Sequence, residues 1–376
     1  MKKELVIVGL SGGVDSSVSA KLLLDQGYKV EAIFMRNWDS LLNNDIKGNP
    51  NSFNDVCPQE KDYNDALEVA NELKIKLHRI DFVNEYWDDV FSYFLREYQK
   101  GRTPNPDVMC NKYIKFACFK EKAKELGADK IAMGHFAIMK EIDGVSHLFK
   151  GVDSNKDQSY FLSMLSNDQL KDTLFPVGEM TKKEVRKIAE ENNLATAKKK
   201  DSTGICFIGE RHFAEFLSNY LPAMPGNIVD TEEKVIGKHF GLMNYTIGQR
   251  KGIGLGGMKD SEKLPWFVVG KNLNKNELIV AQGEDNELLY SDMCVIEELN
   301  LINPLPSADL KGKFRYRSKD ENIKIEITGN NEAIVKYNHV KSVTPGQILA
   351  IYDKLGECYG GGIIKEVYYH SEKRQY

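Results

Sequence analysis

From residue 5 to about residue 205, short apolar runs alternate with stretches of helical spacing. Leu5 to Leu10, Val30 to Phe34, Leu77 to Phe82 and Lys130 to Gly134 are short, mostly apolar and bounded by turn or polar residues, which predicts buried strands. Between them Tyr63, Ala66, Leu67, Ala70 and Leu73 recur at helical spacing, as do Trp87, Val90, Phe91, Phe94, Leu95 and Tyr98. The aromatic residues of the second set read as core, not as a stacking platform. The alternation predicts an α/β fold, a parallel sheet with helices on both faces. From about His212 to Gln282 the chain shifts to Gly-rich turns such as Gly252 to Gly257, the mark of a small central domain. Beyond about residue 285, Lys311 to Ser318, Ile323 to Ile327, Ala333 to Tyr337 and Ile348 to Tyr352 alternate between turn residues, which predicts a C-terminal antiparallel β-barrel. The expected division is 1–210, 211–284 and 285–376. Asp39 to Cys57 is polar and long for a connection inside a compact domain, so a functional lid or a disordered segment is expected there.

Composition narrows the class without changing this picture. The chain has 376 residues, 51 basic and 55 acidic side chains and a formal net charge of −4, with 41% hydrophobic residues. That excludes an intrinsically disordered chain and a disulfide-stapled miniature fold. Met1-Lys2-Lys3 precedes only a short apolar run that ends in a Ser-Gly-Gly turn, so it does not read as a signal peptide. No run approaches the roughly 18 apolar residues of a membrane span. The expectation is a cytoplasmic protein without membrane contact. Cys57, Cys110, Cys118, Cys206, Cys294 and Cys358 are scattered without a Cys-x-x-Cys pair, so reduced thiols are expected and no metal site is assigned. The last 76 residues carry 12 basic and 9 acidic side chains, a local positive balance suited to nucleic acid.

The strand from Leu5 runs directly into Ser11-Gly12-Gly13-Val14-Asp15-Ser16-Ser17, and a helical pattern follows up to Gly27. Strand, Gly-rich turn and helix start together make an anion site: backbone N–H groups approach a phosphate, hydroxyls add donors, and the helix dipole favours negative charge. Neither Gly-x-x-x-x-Gly-Lys nor Gly-x-Gly-x-x-Gly spacing is present at this turn. Ser-Gly-Gly-x-Asp-Ser resembles the signature of the PP-loop ATP pyrophosphatases, whose sheet is of the adenine nucleotide alpha hydrolase-like type. That resemblance implies cleavage of ATP to AMP and pyrophosphate to activate an oxygen of the substrate, with Asp15 helping to hold Mg²⁺.

Two cysteines stand in unusual surroundings. Cys110 follows Thr103-Pro104-Asn105-Pro106-Asp107 and opens a helical pattern, where the dipole favours a thiolate and Asp107 can serve as acid or base. Cys206 lies between Gly204 and Gly209. Each alone reads as a small buried apolar residue. Beside an ATP-activating turn they read as a pair.

The chain further resembles the tRNA-specific 2-thiouridylase family, in strings that run in order along nearly its whole length. They are Gly9 to Ser17, Asn105-Pro106-Asp107 with Cys110-Asn111, Gly134-His135, Lys156 to Tyr160, Gly204 to Gly209, Tyr245 to Arg250, Arg315-Tyr316-Arg317 and Thr344 to Gln347. Phe136 stands where the family often has Tyr, and the tail after about residue 368 lies outside the pattern. The resemblance implies ATP bound by Gly9, Leu10, Ser11, Gly12, Gly13, Val14, Asp15 and Ser16, with Met35 and Gly134 near the adenosine. It implies adenylation of O2 of the wobble uracil, a persulfide on Cys206 loaded by a sulfur-donor protein, and attack at C2 either directly or as released hydrosulfide. Cys110 would end paired with Cys206 in a disulfide, and Asp107 would be the acid/base. Contacts to tRNA are implied for Asn105, Pro106, Asp107, His135, Lys156, Asp157, Gln158, Arg315, Tyr316 and Gln347.

In Lys311 to Lys319 every second residue is basic, so on one strand Lys311, Lys313, Arg315, Arg317 and Lys319 would share a face suited to phosphates. A solvated edge strand guarded by charge is the plain alternative. Lys198-Lys199-Lys200 reads as a solvated run or an RNA contact. Two other functions compete: a PP-loop ligase for a small metabolite, which needs neither two thiols nor a basic barrel, and a non-catalytic RNA-binding protein, which has no use for Asp15, Cys110 and Cys206 together.

Overall fold

The computed structural model describes residues 3–49, 58–201, 204, 206, 208, 211–255, 264–307, 309–329 and 331–376. Strands β1 (Leu5–Gly9), β2 (Lys29–Arg36), β3 (Lys76–Asp81) and β4 (Lys130–Ala132) are parallel. A hairpin of β5 (Ala137–Ile142) and β6 (Val145–Lys150) follows, and the short β7 (Thr173–Leu174) completes a five-stranded sheet in the order β3-β2-β1-β4-β7. Val6, Val8, Val30, Ala32 and Phe34 pack on one face against Val69 and Ala70 of the helix Pro58–Glu72. Ile7, Ile33 and Met35 point to the other face, into a cluster with Phe91, Phe94 and Ile114. A parallel strand covered on both faces is apolar at successive positions, which is why β1 and β2 were legible as apolar runs, whereas the edge strand β3 exposes Lys76, Arg79 and Asp81. Strand order reverses between β1 and β4, so the chain leaves their carboxyl ends in opposite directions and opens the crevice where ligands bind in such sheets.

Strands β8 (Gly226–Val229), β9 (Val235–His239), β10 (Trp266–Asn272) and β11 (Glu277–Gln282) form a small sheet in the order β10-β11-β8-β9 around Ile228, Val268 and Val280. The C-terminal strands are β12 (Tyr290–Leu301), β13 (Leu310–Lys313), β14 (Glu321–Gly329), β15 (Glu332–Lys341), β16 (Ile348–Tyr352) and β17 (Glu357–Tyr369). Because β12 pairs with both β15 and β17, the ring closes into an antiparallel barrel filled by Ile296, Val335, Leu349, Ile351 and Ile364.

Three sequence expectations change. The strand expected over Lys130 to Gly134 stops at Ala132, leaving Gly134 and His135 beyond its end at the crevice. The hairpin β5–β6 was not foreseen; β6 pairs with β17, so a segment of the first region joins the barrel's sheet. Lys311 to Lys319 is not one strand: Phe314 turns inward against Tyr337 with ring centroids 4.6 Å apart, and the chain turns at once, Ser318 N–H donating to Arg315 O at 3.0 Å. The basic residues therefore do not share a face. Arg315 lies folded inward, its guanidinium donating to Ile247 O at 3.1 Å and to Thr344 Oγ1.

Residues 39–49 form a strap seated on the segment after Cys206. His212 N–H donates to Gly48 O at 2.8 Å, Lys47 N–H to Asn219 Oδ1 at 3.0 Å, and Tyr220 OH to Asn43 O at 2.9 Å. Asp45, wholly buried, receives Arg211 at 2.7 Å and Trp38 Nε1 at 3.0 Å. The rest of the polar segment, residues 50–57 with Cys57, lies outside the described residues. Beyond residue 368 the tail runs between the small sheet and the barrel: Lys271 N–H donates to Gln375 O and Arg374 Nε to Tyr290 O, each at 3.1 Å. Among the described residues no helix is long and apolar enough to cross a membrane.

Candidate active site

The turn after β1 leads into helix α1 (Val14–Asp25), whose N-cap is Gly13. No side chain caps that helix, so the N–H groups of its first turn stay open to an anion. Inside the turn, Ser16 Oγ accepts from Ser11 N–H at 3.2 Å and donates to Gly13 O at 3.0 Å. Gly12 has φ of +72°, and a Cβ there would lie 2.3 Å from Asp62 O, so only glycine fits. Lys199, in the run that read as solvated, donates to Gly12 O at 2.9 Å and pairs with Asp62 and Asp65, bracing the turn from behind.

The facing wall of the crevice is Gly134. A Cβ on it would lie 2.8 Å from Ser16 N and 2.9 Å from Asp15 C, so the chain after β4 passes in backbone contact with the turn. Met35 and Met133 close over Gly9, Met133 Sδ standing 2.6 Å from where a Cβ would be. Asp15 lies beside Lys182, at 2.6 Å; Lys182 also pairs with Asp201 at 2.8 Å, and Asp201 with Lys156 at 2.6 Å and Arg186 at 2.7 Å. Burial raises the Asp15 carboxyl despite Lys182. Burial also works against Asp201, but Lys156 and Lys182 outweigh it and bring that carboxyl down to about 2. Three cations thus converge on Asp201 at the edge of the phosphate turn, matching a strongly anionic ligand. Among the described residues there is no group of three or more metal-ligating side chains. Asp15 alone fits a Mg²⁺ ion held by one carboxylate and substrate phosphates, the usual arrangement for that ion.

His135, next to Gly134, leads from the crevice to the thiols. It is buried between Phe116 and Phe175, with ring centroids 5.8 and 5.7 Å away, and Nδ1 has no hydrogen-bond partner among the described residues. Burial, reinforced by Lys115, pushes its pKa well below the ordinary imidazole value, so it is neutral. Asn105 caps the helical stretch 106–125, accepting from Val108 N–H at 3.4 Å, and Pro106 occupies its first turn. Cys110 lies on that stretch, wholly buried.

Cys206 comes from the distant end of the region and meets Cys110 within hydrogen-bond reach. Its own backbone is clamped on both sides: its N–H donates to Asp107 Oδ1 at 3.1 Å, and its C=O accepts from Tyr86 OH at 2.8 Å. The two thiols are driven apart in acidity. Burial raises Cys110 well above an ordinary thiol. Cys206 is lowered, by the hydrogen bond from Cys110 and by Lys115, against its burial. Burial raises Asp107 as well, against the Cys206 N–H, so it holds a proton more readily than an ordinary carboxyl. The arrangement offers one sulfur ready as an anion, a second thiol beside it and a proton-holding carboxyl, all joined to the phosphate crevice through His135 and Gly134.

Of the other residues expected to meet RNA, Asp157 Oδ1 accepts from Gly151 N–H and Ser159 N–H, both at 3.1 Å, and Gln158 Oε1 from Phe136 N–H at 3.0 Å. Gln347 donates to Thr103 O at 2.7 Å, supporting the loop that carries Asn105 to Asp107. Tyr316 packs on Phe161 with centroids 4.4 Å apart. Sequence reasoning missed Tyr86, Lys115, Lys182 and Met133. A lysine between Ile114 and Phe116, five residues after Cys110, was the available signal for Lys115.

Three family models match the chain in succession. They are described as a tRNA methyl transferase HUP domain over residues 4–210, a tRNA methyl transferase PRC-barrel domain over 214–282 and an aminomethyltransferase beta-barrel domain over 291–364. The tRNA-specific 2-thiouridylase MnmA of Acholeplasma laidlawii (strain PG-8A) is 54% identical, with 100% of both chains covered. That of Metamycoplasma arthritidis (strain 158L3-1) is 54% identical over 99% of both, and that of Stutzerimonas stutzeri (strain A1501) 52% identical over 97% of this chain and 95% of the relative.

Proposed function

Because this chain belongs to the tRNA-specific 2-thiouridylase family, we propose that it is a sulfurtransferase that places sulfur on C2 of the wobble uridine of tRNA at the expense of ATP. The family-model descriptions speak of methyl transfer, but the chemistry of the site is that of sulfur: a lowered thiol and a raised one in contact beside an anion-binding turn. That contact is the observation that carries the reading.

The triphosphate takes the open N–H groups of α1 and the cations around Asp201, with Met35 and Gly134 against the adenosine. Asp15 would hold Mg²⁺, which would supply neutralisation of the pyrophosphate charge. The uracil, splayed from an unpaired anticodon loop, enters beside Asn105 to Asp107 and His135. Its O2 attacks the α-phosphate and pyrophosphate leaves, so that AMP becomes the leaving group on C2. The Cys206 thiolate takes a sulfane sulfur from a donor persulfide, whose own S–S bond breaks and leaves the donor as a thiol. The terminal sulfur of the Cys206 persulfide then bonds to C2 as the C2–O bond breaks and AMP departs with the electron pair. Attack of the Cys110 thiolate on Cys206 Sγ breaks the persulfide bond, leaves the pair on the transferred sulfur and forms a Cys110–Cys206 disulfide. If Cys110 instead releases hydrosulfide first, the same disulfide results. Asp107 holds and returns the proton. A reducing cytoplasm restores both thiols.

Arg315, Tyr316 and Gln347, with Lys156 to Gln158, form the rest of the proposed tRNA surface, and the chain divides functionally at 1–210, 211–284 and 285–376. The test is conversion of unmodified tRNA to 2-thiouridine with ATP, Mg²⁺ and a persulfide donor, read by nucleoside mass spectrometry. Wild type is expected to make thiouridine and AMP, and Cys110→Ser or Cys206→Ser none. AMP formation without thiouridine from wild type would overturn the acceptor.

A further inference from the structure

The helical stretch 106–125 is not a regular α-helix throughout. From Cys110 to Cys118 the turn is widened, ending in a bond from Phe119 N–H to Ile114 O, five residues back rather than four. At 3.6 residues per turn a side chain five positions after Cys110 would be rotated about 140° away from it. The wider turn brings position 115 back over position 110, and such turns recur at functional sites. The ammonium of Lys115 consequently reaches the Cys206 sulfur as a hydrogen-bond donor and stands close to Cys110 and Asp107. Its chain neighbours Ile114 and Phe116, and Phe119 one turn on, belong to the hydrophobic core.

We propose that Lys115 is the cation that holds the anionic sulfur of Cys206, first as the thiolate that accepts sulfur and then as the persulfide that attacks the activated uracil. The inference rests on the thiolation reading above and names the group that makes it feasible. Both sulfur species carry a full negative charge in a half-buried site, where an unpaired anion is costly. Lys115 supplies the opposite charge in both states. The groups facing this sulfur are Lys115 and Cys110 from the widened turn, Asp107 before it and Tyr86 from the neighbouring helical stretch 83–99, with neutral His135 beyond. Lys115 is the cation of that set. Burial alone would discharge it, and the surrounding Cys206, Cys110 and Asp107 keep it protonated.

The test is the pH dependence of Cys206 alkylation by iodoacetamide in the full-length protein, followed by peptide mass spectrometry, with wild type, Lys115→Met and Lys115→Arg. Wild-type Cys206 should react with an apparent pKa below that of an ordinary thiol. Lys115→Met should raise it by about one unit or more, a roughly tenfold loss of thiolate at neutral pH. Single-turnover thiolation by that variant should fall at least as far, with the KM for tRNA and ATP cleavage little changed. Lys115→Arg should restore most of both, because charge and not length is what is required. An unchanged Cys206 profile in Lys115→Met overturns the proposal, as does a loss confined to tRNA binding. If Lys115→Met does not fold, Lys115→Gln takes its place under the same criteria. If neither neutral variant folds, an ordinary thiol pKa for Cys206 in wild type overturns the proposal and a lowered one supports it. Alkylation needs neither ATP nor tRNA, so it decides the role of Lys115 even if wild type makes no thiouridine and the thiolation reading fails.

Discussion

The phosphate turn and the sulfur site adjoin, yet they are built in opposite ways. The turn is local: Ser11 to Ser17 supply its glycines, its hydroxyls and its open helix start from seven consecutive residues. The sulfur site is assembled from Tyr86, Asp107, Cys110, Lys115 and Cys206, and Cys206 is held by hydrogen bonds to two separate helical stretches. A local site inherits its geometry from backbone conformation that few sequences can adopt. An assembled site inherits its geometry from packing, and so does the acidity of its groups. Cys110 and Cys206 are chemically the same residue, yet burial raises the Cys110 thiol while the hydrogen bond from Cys110, helped by Lys115, lowers that of Cys206.

The sharpest break in this comparison is removal of either sulfur. Cys206→Ser or Cys110→Ser should lower 2-thiouridine formation on the order of 10³-fold or more, while the intact turn still binds ATP in equilibrium dialysis. Comparable loss of ATP binding would mean that the two sites are one cooperative unit. Next is the strap that anchors the segment after Cys206. Arg211→Met leaves Asp45 charged and buried without its partner, so a stability loss of about 3–5 kcal/mol is expected in denaturant melts. The reverse dissection is Gly134→Ala. Its new Cβ has to displace the backbone at Asp15 and Ser16, so ATP turnover should fall by roughly 10²-fold while Cys206 alkylation is preserved. Tyr86→Phe removes one hydrogen bond to the Cys206 carbonyl, worth about 1 kcal/mol, and should slow thiolation by no more than about tenfold. The smallest effect concerns pH. The folded pKa of Asp201, about 2, lies below its ordinary 3.8, so its ion pairs stabilise the fold above pH 3.8 and are lost as pH falls through about 2. Asp201→Asn should flatten the acid limb of a thermal-melt series within that window and lower the melting temperature by a small, pH-independent amount above it.

Legibility followed the same divide. Strands β1 and β2 of the parallel sheet were readable because burial on both faces makes each an apolar run, and the barrel because its strands alternate. Lys311 to Lys319 misled because alternation signals a strand only while the chain stays extended, and here β13 ends at Lys313 and the chain turns, Ser318 N–H donating to Arg315 O. Lys199 was read by its neighbours Lys198 and Lys200 as a solvated run, whereas its partners Asp62 and Asp65 lie on a helix more than a hundred residues earlier. Hairpin β5–β6 gave no sign that it would join β17, since pairing across two hundred residues leaves no mark on either strand alone.

What the sequence by itself determined is the phosphate turn, the layered sheet, the closing barrel and the identity of the two thiols. Each follows from short-range sterics, periodicity or residue chemistry that no neighbour alters. Only the tertiary structure decided which thiol is the more acidic, what clamps Cys206, where Lys115 points and which way Arg315 faces. Those outcomes depend on dielectric surroundings and on contacts between residues far apart in the chain, and neither is encoded at any single position.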